Sequence, residues 1–230
     1  MAEKLRVMKL VARNDVLPNL TIFRFETETE FVFESGQFCV ISRGGVKRAY
    51  SIFSSPQDPY IELLIKLVPE GALTTQLWDL SLGDEVELFQ PRGRGNFLFD
   101  PTIELHAMFA TGTGIAPFRS MIRQYAHEGK WKFYVFHGVS YADELSDCCY
   151  EMLEAKQVIY VPSVSRPNDE RNSSWKGATG RLPEQAESAI KQFGLTLENS
   201  RVYACGQAGM ITGIKSLLEP MKFKIKEEKY

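Results

Sequence analysis

The sequence has few of the residues that hold metal clusters. Its 230 residues include four cysteines and three histidines, and no two cysteines follow the C-x-x-C spacing. Zinc and iron–sulfur sites need ligands at such short spacings, so we predict no metal centre and no appended iron–sulfur segment. Reduced thiols are typical of cytosolic proteins, and we expect a cytoplasmic location.

A large charge of one sign and long apolar runs are also lacking. The formal net charge is −2, which provides no overall attraction for nucleic acid. No run approaches the roughly 20 apolar residues of a membrane-spanning helix, and the charged opening stretch MAEKLRVMKLVARND lacks the pattern of a signal peptide. These absences indicate a soluble globular protein and leave its oligomeric state open.

The first hundred residues are rich in short β-type segments. Stretches such as LTIFRFETE and YIELLIKLV are separated by Gly, Pro, Asn and Asp. A short helix is predicted for LTTQLWDLS, which Gly83 closes. Many short strands joined by turns predict an antiparallel β-barrel.

From about Pro101 apolar strands alternate with helical segments, beginning with HAMFATG and APFRSMIRQYAHEG. This alternation predicts a parallel sheet with helices on both faces, an α/β fold. A last strand is predicted in FKIKEEKY. We therefore predict two domains, residues 1–100 and 101–230, with the boundary around Phe99 to Ile103.

A glycine-rich turn, Thr111–Gly114, interrupts an apolar strand before a predicted helix. Peptide N–H groups at a helix start carry partial positive charge, and glycines let a diphosphate approach them. Pro117 stands near the place of the third glycine of a Rossmann fingerprint, and proline fits the first turn of a helix. The stretch predicts a phosphate-binding turn of another kind, or a tight turn without ligand.

Two stretches of the first half have a chemical and a plain interpretation. In RAYSIFSSP, Arg48 and Tyr50 share one face of a strand and Ser51 faces the other. Together they could bind the phosphate, the ring and a ring nitrogen of a planar tricyclic ligand, or form an ordinary edge strand. In PEGALTTQL, Gly71 precedes a helix start with two threonines, which predicts a second anion-binding turn or a simple N-cap.

Two further groups follow strands of the second half. Ser165 and Arg166 follow the third parallel strand, and Arg181 comes later. Ligands bind at this edge of such sheets, where a guanidinium can hold a ribose 2′-phosphate; surface solvation is the alternative. Cys205 and Gly206 end the fourth strand, and a buried apolar role is the alternative for the cysteine.

Taken together and in this order, the motifs resemble those of the ferredoxin–NADP reductase family over essentially the whole chain. The matching stretches are GQF at 36–38, RAYS at 48–51, GALT at 71–74, a stretched closing segment from Pro91 to Phe97, TGTGIAP at 111–117, and Cys205-Gly206 with Met210. The resemblance implies an FAD-binding antiparallel barrel followed by a parallel-sheet NADP-binding domain.

The resemblance also implies roles for individual residues. Ser51, Cys205, Glu228 and Tyr230 would surround the reacting rings as catalytic residues, with Tyr230 covering the flavin. The cofactor-binding residues it implies are Arg48, Ala49, Tyr50, Ser51, Ile65, Gly71, Ala72, Leu73, Thr74, Thr75, Thr111, Gly112, Thr113, Gly114, Ser165, Arg166, Arg181, Cys205, Gly206, Met210 and Tyr230.

The activity implied is hydride transfer between NADP(H) and FAD and exchange of single electrons with a separate carrier, ferredoxin or flavodoxin. NAD(H) and FMN stay open as alternative cofactors. Two alternative functions also stay open: an NAD(P)H-dependent reductase for an oxygenase or free flavin, and a non-catalytic flavin-binding subunit of a larger complex.

One departure from the family pattern concerns the segment HGVSYADEL. Many members have an arginine where this chain has Val139 and Ser140. Discrimination in favour of NADPH would then rest on Ser165, Arg166 and Arg181.

Overall fold

The computed structural model describes residues 6–91, 97–145, 149 and 155–229. Contacts divide the chain into two compact units: Met1–Leu98 with Ala116–Gln124, and Phe99–Ile115 with Tyr125–Tyr230. The domain boundary after residue 100 stays a prediction, since this grouping assigns a later helix to the first unit.

The first unit contains a six-stranded antiparallel sheet. Its strands are β1 Arg6–Leu17, β2 Leu20–Thr27, β3 Phe38–Arg43, β4 Val46–Ser51, β5 Ile61–Lys66 and β6 Glu85–Leu88. Their order is β4-β3-β6-β1-β2-β5, which places β4 and β5 at opposite edges. The Phe53 N–H, just beyond β4, donates to the Glu62 carbonyl in β5 at 2.8 Å. This hydrogen bond joins the two edges, and the predicted antiparallel barrel is confirmed.

Apolar side chains at alternate positions of the strands fill the interior of the barrel. Met8 and Leu10 of β1 and Phe23 and Phe25 of β2 are almost completely buried. Helix α1, Thr74–Trp78, contributes Leu77 to the same core. Removal of these apolar side chains from water stabilises the barrel by roughly 25 cal/mol for each Å² buried.

Helix α2, Ala116–Tyr125, belongs to the first unit for nearly all of its length. It carries a buried cation: Arg119 Nη1 lies 3.0 Å from the Glu62 carboxylate and 3.0 Å from the Phe53 carbonyl oxygen. Arg24 of β2 binds the other oxygen of Glu62 at 2.8 Å. The carboxylate thus holds two guanidinium groups, one of them deeply buried, and fixes α2 on the barrel.

The second unit contains a six-stranded parallel sheet. Its strands are β7 Leu105–Thr111, β8 Lys132–Val139, β9 Val158–Val164, β10 Ala178–Thr179, β11 Ser200–Gly206 and β12 Ile225–Lys229, with helices α3 Leu182–Gln192 and α4 Ala208–Leu218. The predicted α/β alternation is confirmed, and the short β10 is an addition to it. The helix expected in ADELSDCCYEMLEA lies largely outside the described residues.

The strand order β10-β9-β8-β7-β11-β12 identifies the functional edge of this sheet. From β7 the chain goes to β8 on one side and reaches β11 on the other side only later. Ligands of such sheets bind beyond the carboxyl ends of the strands, where the order reverses. That point lies at the ends of β7 and β11, which are Thr111 and Gly206.

The amino-terminal end of β7 lies in an aromatic cluster. His106 is fully buried and stacks on Phe99 with ring centroids 4.4 Å apart. Its Nε2 lies 3.0 Å from the Ile103 carbonyl oxygen, to which it donates. Burial is the main cause that lowers the pKa of His106 to about 4, so the ring is neutral near pH 7.

Candidate functional site

The glycine-rich turn follows directly from the end of β7. Residues Gly112–Ile115 form a single 3₁₀ turn, and α2 starts at Ala116. The Thr111 hydroxyl accepts a hydrogen bond from the Gln207 N–H, just after β11, at 2.9 Å. The turn and the end of β11 are therefore bound to each other at the edge where ligands are expected.

Gly114 and Gly206 allow this close approach. A Cβ on Gly114 would lie 2.3 Å from the Cys205 carbonyl oxygen, and one on Gly206 would lie 2.1 Å from the Thr111 hydroxyl. Gly206 also has a positive φ of 131°, which side chains disfavour. The two motifs singled out in the sequence thus form one packed structure, and each glycine is required by it.

Cys205 and Glu228 lie side by side on adjacent strands. They are partners in the parallel register of β11 and β12. Burial, and secondarily the charge of Glu228, raises the pKa of the Cys205 thiol well above its usual value. The thiol is therefore protonated near neutral pH and is not a ready nucleophile. Met210, five residues after Cys205, is buried in the first turn of α4. Tyr230 lies outside the described residues.

Arg166 lies beside an aromatic ring in the loop after β9. Its Nη1 donates to the Tyr141 hydroxyl at 2.5 Å, and its Cζ is 5.2 Å from the ring centroid. Arg171 lies 3.7 Å from the same centroid, and its charge is paired with Asp143 at 2.7 Å. Ser165 is exposed. Because Arg171 is already paired with a carboxylate, Arg166, which contacts the Tyr141 hydroxyl, is the better placed of the two to bind an added phosphate.

Where many family members have an arginine, after β8, the backbone of this chain binds a carboxylate. The N–H groups of Ser140 and Tyr141 donate to the Glu144 carboxylate at 2.8 and 3.1 Å. The buried Asn172 amide donates to the carbonyl oxygens of Ser140 and Arg166 at 3.0 and 2.9 Å. Asn172 thus joins the loops that follow β8 and β9, a role that no sequence motif had indicated.

Arg181 is exposed at the start of α3. Its N–H donates to the Glu184 carboxylate at 3.3 Å and its carbonyl oxygen accepts from the Glu184 N–H at 3.1 Å, so Arg181 is the N-cap residue of the helix. The side chain is on the same unit as Arg166, and the sequence-based assignment of both to a 2′-phosphate stays a prediction.

The barrel carries the residues predicted for the flavin. Arg48 and Ala49 are exposed in β4, and Tyr50 and Ser51 are half-buried at its end. Arg48 Nη1 donates to the Lys47 carbonyl at 2.7 Å. Burial is the main cause that raises the pKa of Tyr50 to about 12, so its hydroxyl keeps its proton.

The Gly71 turn uses its threonines locally. The Thr74 hydroxyl lies 3.1 Å from the Val68 carbonyl oxygen, to which it donates, and the Thr75 hydroxyl donates to the Gly71 carbonyl at 2.9 Å. Helix α1 has no side-chain cap. Of the other predicted residues, Ala72 is exposed while Ile65 and Leu73 are buried in the barrel core. Most of the predicted closing segment, residues 92–96, lies outside the described residues.

Comparison with known proteins decides the family. Residues 7–97 match the family model of the oxidoreductase FAD-binding domain, and residues 108–216 match that of the oxidoreductase NAD-binding domain. The chain is 30% identical to the flavodoxin/ferredoxin–NADP reductase of Shigella flexneri over 218 residues, or 90% of the chain and 85% of the relative. The chain belongs to the ferredoxin–NADP reductase family.

Two further members show the same likeness. The flavodoxin/ferredoxin–NADP reductase of Buchnera aphidicola subsp. Baizongia pistaciae is 29% identical, over 81% of this chain and 79% of the relative. The crystal structure of a ferredoxin NADP+ reductase from Neisseria gonorrhoeae with bound FAD and NADP superimposes with a TM-score of 0.83 and 25% identity, over 98% of each chain. The resemblance predicted from the sequence is confirmed, and the chain has an FAD-binding and an NAD-binding domain.

The residues present fit the cofactors of the ferredoxin–NADP reductase family. The barrel offers an exposed guanidinium next to a half-buried tyrosine and serine, which suits a phosphate attached to an aromatic ring. The Thr111–Gly114 turn is free of long side chains at a sheet edge. Within the described ranges, no helix is long and apolar enough to cross a membrane, and no three His, Cys, Asp or Glu side chains group closely enough to hold a metal ion.

Proposed function

We propose that this chain is a flavodoxin/ferredoxin–NADP reductase. The observation that carries the proposal is the packing of the Thr111–Gly114 turn against Cys205-Gly206, with Glu228 in register beside the cysteine. Bound FAD and NADP(H) would supply hydride transfer and the step from two electrons to one, which no side chain can perform. The likeness to relatives of that name over most of the chain supports this activity over an oxygenase reductase or a non-catalytic subunit.

The protein residues would bind and orient the two cofactors. We assign FAD to Arg48–Ser51, Ile65 and Gly71–Thr75, and the NADP(H) diphosphate to Thr111–Gly114. Ser51 would donate a hydrogen bond to a flavin nitrogen. The neutral Cys205 thiol would pack against the nicotinamide and help to exclude water, and the adjacent Glu228 would orient it. Tyr230 keeps its predicted role as an aromatic cover.

The proposed function is tested by anaerobic titration of the purified protein with NADPH and with NADH. We expect a yellow protein whose flavin absorbance is bleached by NADPH, and heat release should identify the flavin as FAD. Reduced protein should then transfer electrons to ferredoxin or flavodoxin. A colourless protein, or a flavin that neither nucleotide bleaches, would contradict the proposal; transfer to free flavin but to neither carrier would favour the alternative reductase.

Arg166 tests the preference for NADPH, which we assign to Ser165, Arg166 and Arg181. A charge-assisted hydrogen bond contributes roughly 1.5–3 kcal/mol, so Arg166→Ala should lower kcat/KM for NADPH by about 10–100-fold. NADH has no 2′-phosphate and serves as the internal control, with unchanged kinetics. Steady-state assays with both nucleotides measure the difference, and an equal loss for both would remove this role.

A further inference from the structure

His137 lies in β8, in the middle of the parallel sheet, and its ring is almost completely buried. Both ring nitrogens are hydrogen-bonded: Nε2 lies 2.8 Å from the Gly112 carbonyl oxygen, and Nδ1 lies 2.8 Å from the Tyr160 hydroxyl. A carbonyl oxygen can only accept, so Nε2 carries a proton. The Tyr160 hydroxyl, which can donate or accept, binds Nδ1 on the other side of the ring.

The strand register explains how this ring reaches the turn. His137 is paired with Ala110 of β7 and with Pro162 of β9. Gly112 is two residues beyond the first partner, and Tyr160 is two residues before the second. The imidazole therefore spans the end of β7 on one side and contacts β9 on the other, so that two neighbouring strands fix its position.

The hydrogen bond sets the direction of the first peptide of the turn. A trans peptide is planar, and its C=O and N–H point in opposite directions. Because the Gly112 carbonyl points to the buried imidazole, the N–H of Thr113 points away from it. Gly112 has a positive φ of 51° and Thr113 is half-exposed. An N–H that points away from the buried ring is therefore expected on the accessible side of the turn.

We propose that His137 is a positioning residue for the nucleotide diphosphate. By donating from Nε2 to the Gly112 carbonyl oxygen, it keeps the partial negative charge of that oxygen away from the diphosphate and directs the Thr113 N–H towards it. Tyr160 supports this role, since its hydroxyl hydrogen-bonds Nδ1 at 2.8 Å and holds the other side of the ring in place. The inference rests on the proposed use of the Thr111–Gly114 turn by NADP(H).

The test compares His137→Phe, which keeps a ring without a donor, with His137→Gln, whose amide offers one donor and one acceptor at similar spacing. Calorimetry on the FAD-loaded protein measures the Kd of NADP+ and of adenosine 2′-phosphate, which has no diphosphate. Loss of a buried partner typically costs a group 1–3 kcal/mol, so we expect NADP+ to bind about tenfold more weakly to His137→Phe. His137→Gln should recover most of this affinity.

The second ligand separates positioning from general damage. Adenosine 2′-phosphate should bind His137→Phe as it binds the wild type, and KM for NADPH should rise with little change in kcat. Unchanged NADP+ binding, or an equal loss for both ligands, would overturn the inference. A wild-type protein that binds no pyridine nucleotide would instead contradict the proposed function.

Tyr160→Phe keeps the inference testable if His137→Phe does not fold. It retains the tyrosine ring and removes only the hydroxyl that holds His137 Nδ1. We expect NADP+ to bind about two- to fivefold more weakly, with adenosine 2′-phosphate unaffected. Equal NADP+ affinity in Tyr160→Phe and the wild type would overturn the inference.

Discussion

Gly114 has no space for a side chain. In Gly114→Ala the new Cβ would lie 2.3 Å from the Cys205 carbonyl oxygen, which is backbone and cannot move aside alone. The turn must therefore shift away from β11, and we expect a lower thermal midpoint and NADP+ binding weakened by about tenfold or more, as for overpacked sites of roughly 1–3 kcal/mol. Calorimetry and thermal unfolding measure both effects.

A second glycine offers a matched control. Gly209 lies in α4, and a Cβ there would meet nothing within 4 Å. Alanine favours helix by about 0.5–1 kcal/mol over glycine, so Gly209→Ala should leave the thermal midpoint equal or slightly raised. Similar losses in both variants would show that steric contact at Gly114 is not the cause.

At the scale of single residues, the sequence predicts glycines better than buried polar partners. The spacing of Thr111–Gly114 indicates a turn because its chemistry is local. His137 has no such signal, since it stands alone in the apolar strand FYVFHGV and its partner Gly112 is 25 residues away in the chain. Only the order of the strands brings the two together, and that order cannot be taken from local spacing.

At the scale of elements, Glu62 connects β5 to α2. Its carboxylate and the Arg119 guanidinium are each about 5% exposed. In Glu62→Leu the buried Arg119 guanidinium would lose its carboxylate partner and keep its hydrogen bond to the Phe53 carbonyl. Breaking a buried ion pair by removing one partner costs roughly 3–5 kcal/mol. We expect a loss of about 3 kcal/mol in the free energy of unfolding, measured by urea titration.

Two other variants decide whether charge is the cause. The double variant Glu62→Leu with Arg119→Leu removes both buried charges, so part of the lost stability should return. Glu187→Gln breaks an exposed pair with Lys191 and should leave the midpoint nearly unchanged. If Glu62→Leu resembled Glu187→Gln, the buried pair would not hold the helix.

The existence of these elements was predictable, but their packing was not. Apolar periodicity predicts α2 as a helix following β7, yet nothing local shows that its buried face packs on the barrel. Arginine is usually a surface residue, and the Glu62 carboxylate that binds Arg119 is 57 positions earlier in the chain. The two-residue strand β10 was missed because it is too short to have a period.

At the scale of the whole molecule, His106 makes stability depend on pH. Its pKa is about 4 in the folded chain and about 6.5 when unfolded. Between these values the unfolded chain binds a proton that the folded chain does not, so stability falls as the pH drops from 6.5 to 4. The shift corresponds to about 3 kcal/mol, measured as urea unfolding free energy across this range.

His106→Phe keeps the stacking and removes the titrating group, so its stability should change much less over the same range. His127→Asn changes an exposed histidine and should retain the wild-type slope. Asp100 does not interfere: burial opposes its ionisation, but hydrogen bonds from Thr102 and Arg201 lower its pKa to about 2, so its effect comes below pH 4. Equal slopes in all three proteins would exclude His106 as the source.

The first unit is assembled from two separate stretches of the chain, with the start of the other unit inserted between them. A gene cut at codon 100 would encode every barrel strand yet omit the helix that brings Arg119 to Glu62. Recombination that exchanges this unit as a working module must therefore place its breakpoint beyond Gln124, carrying the Thr111–Gly114 turn along with the barrel.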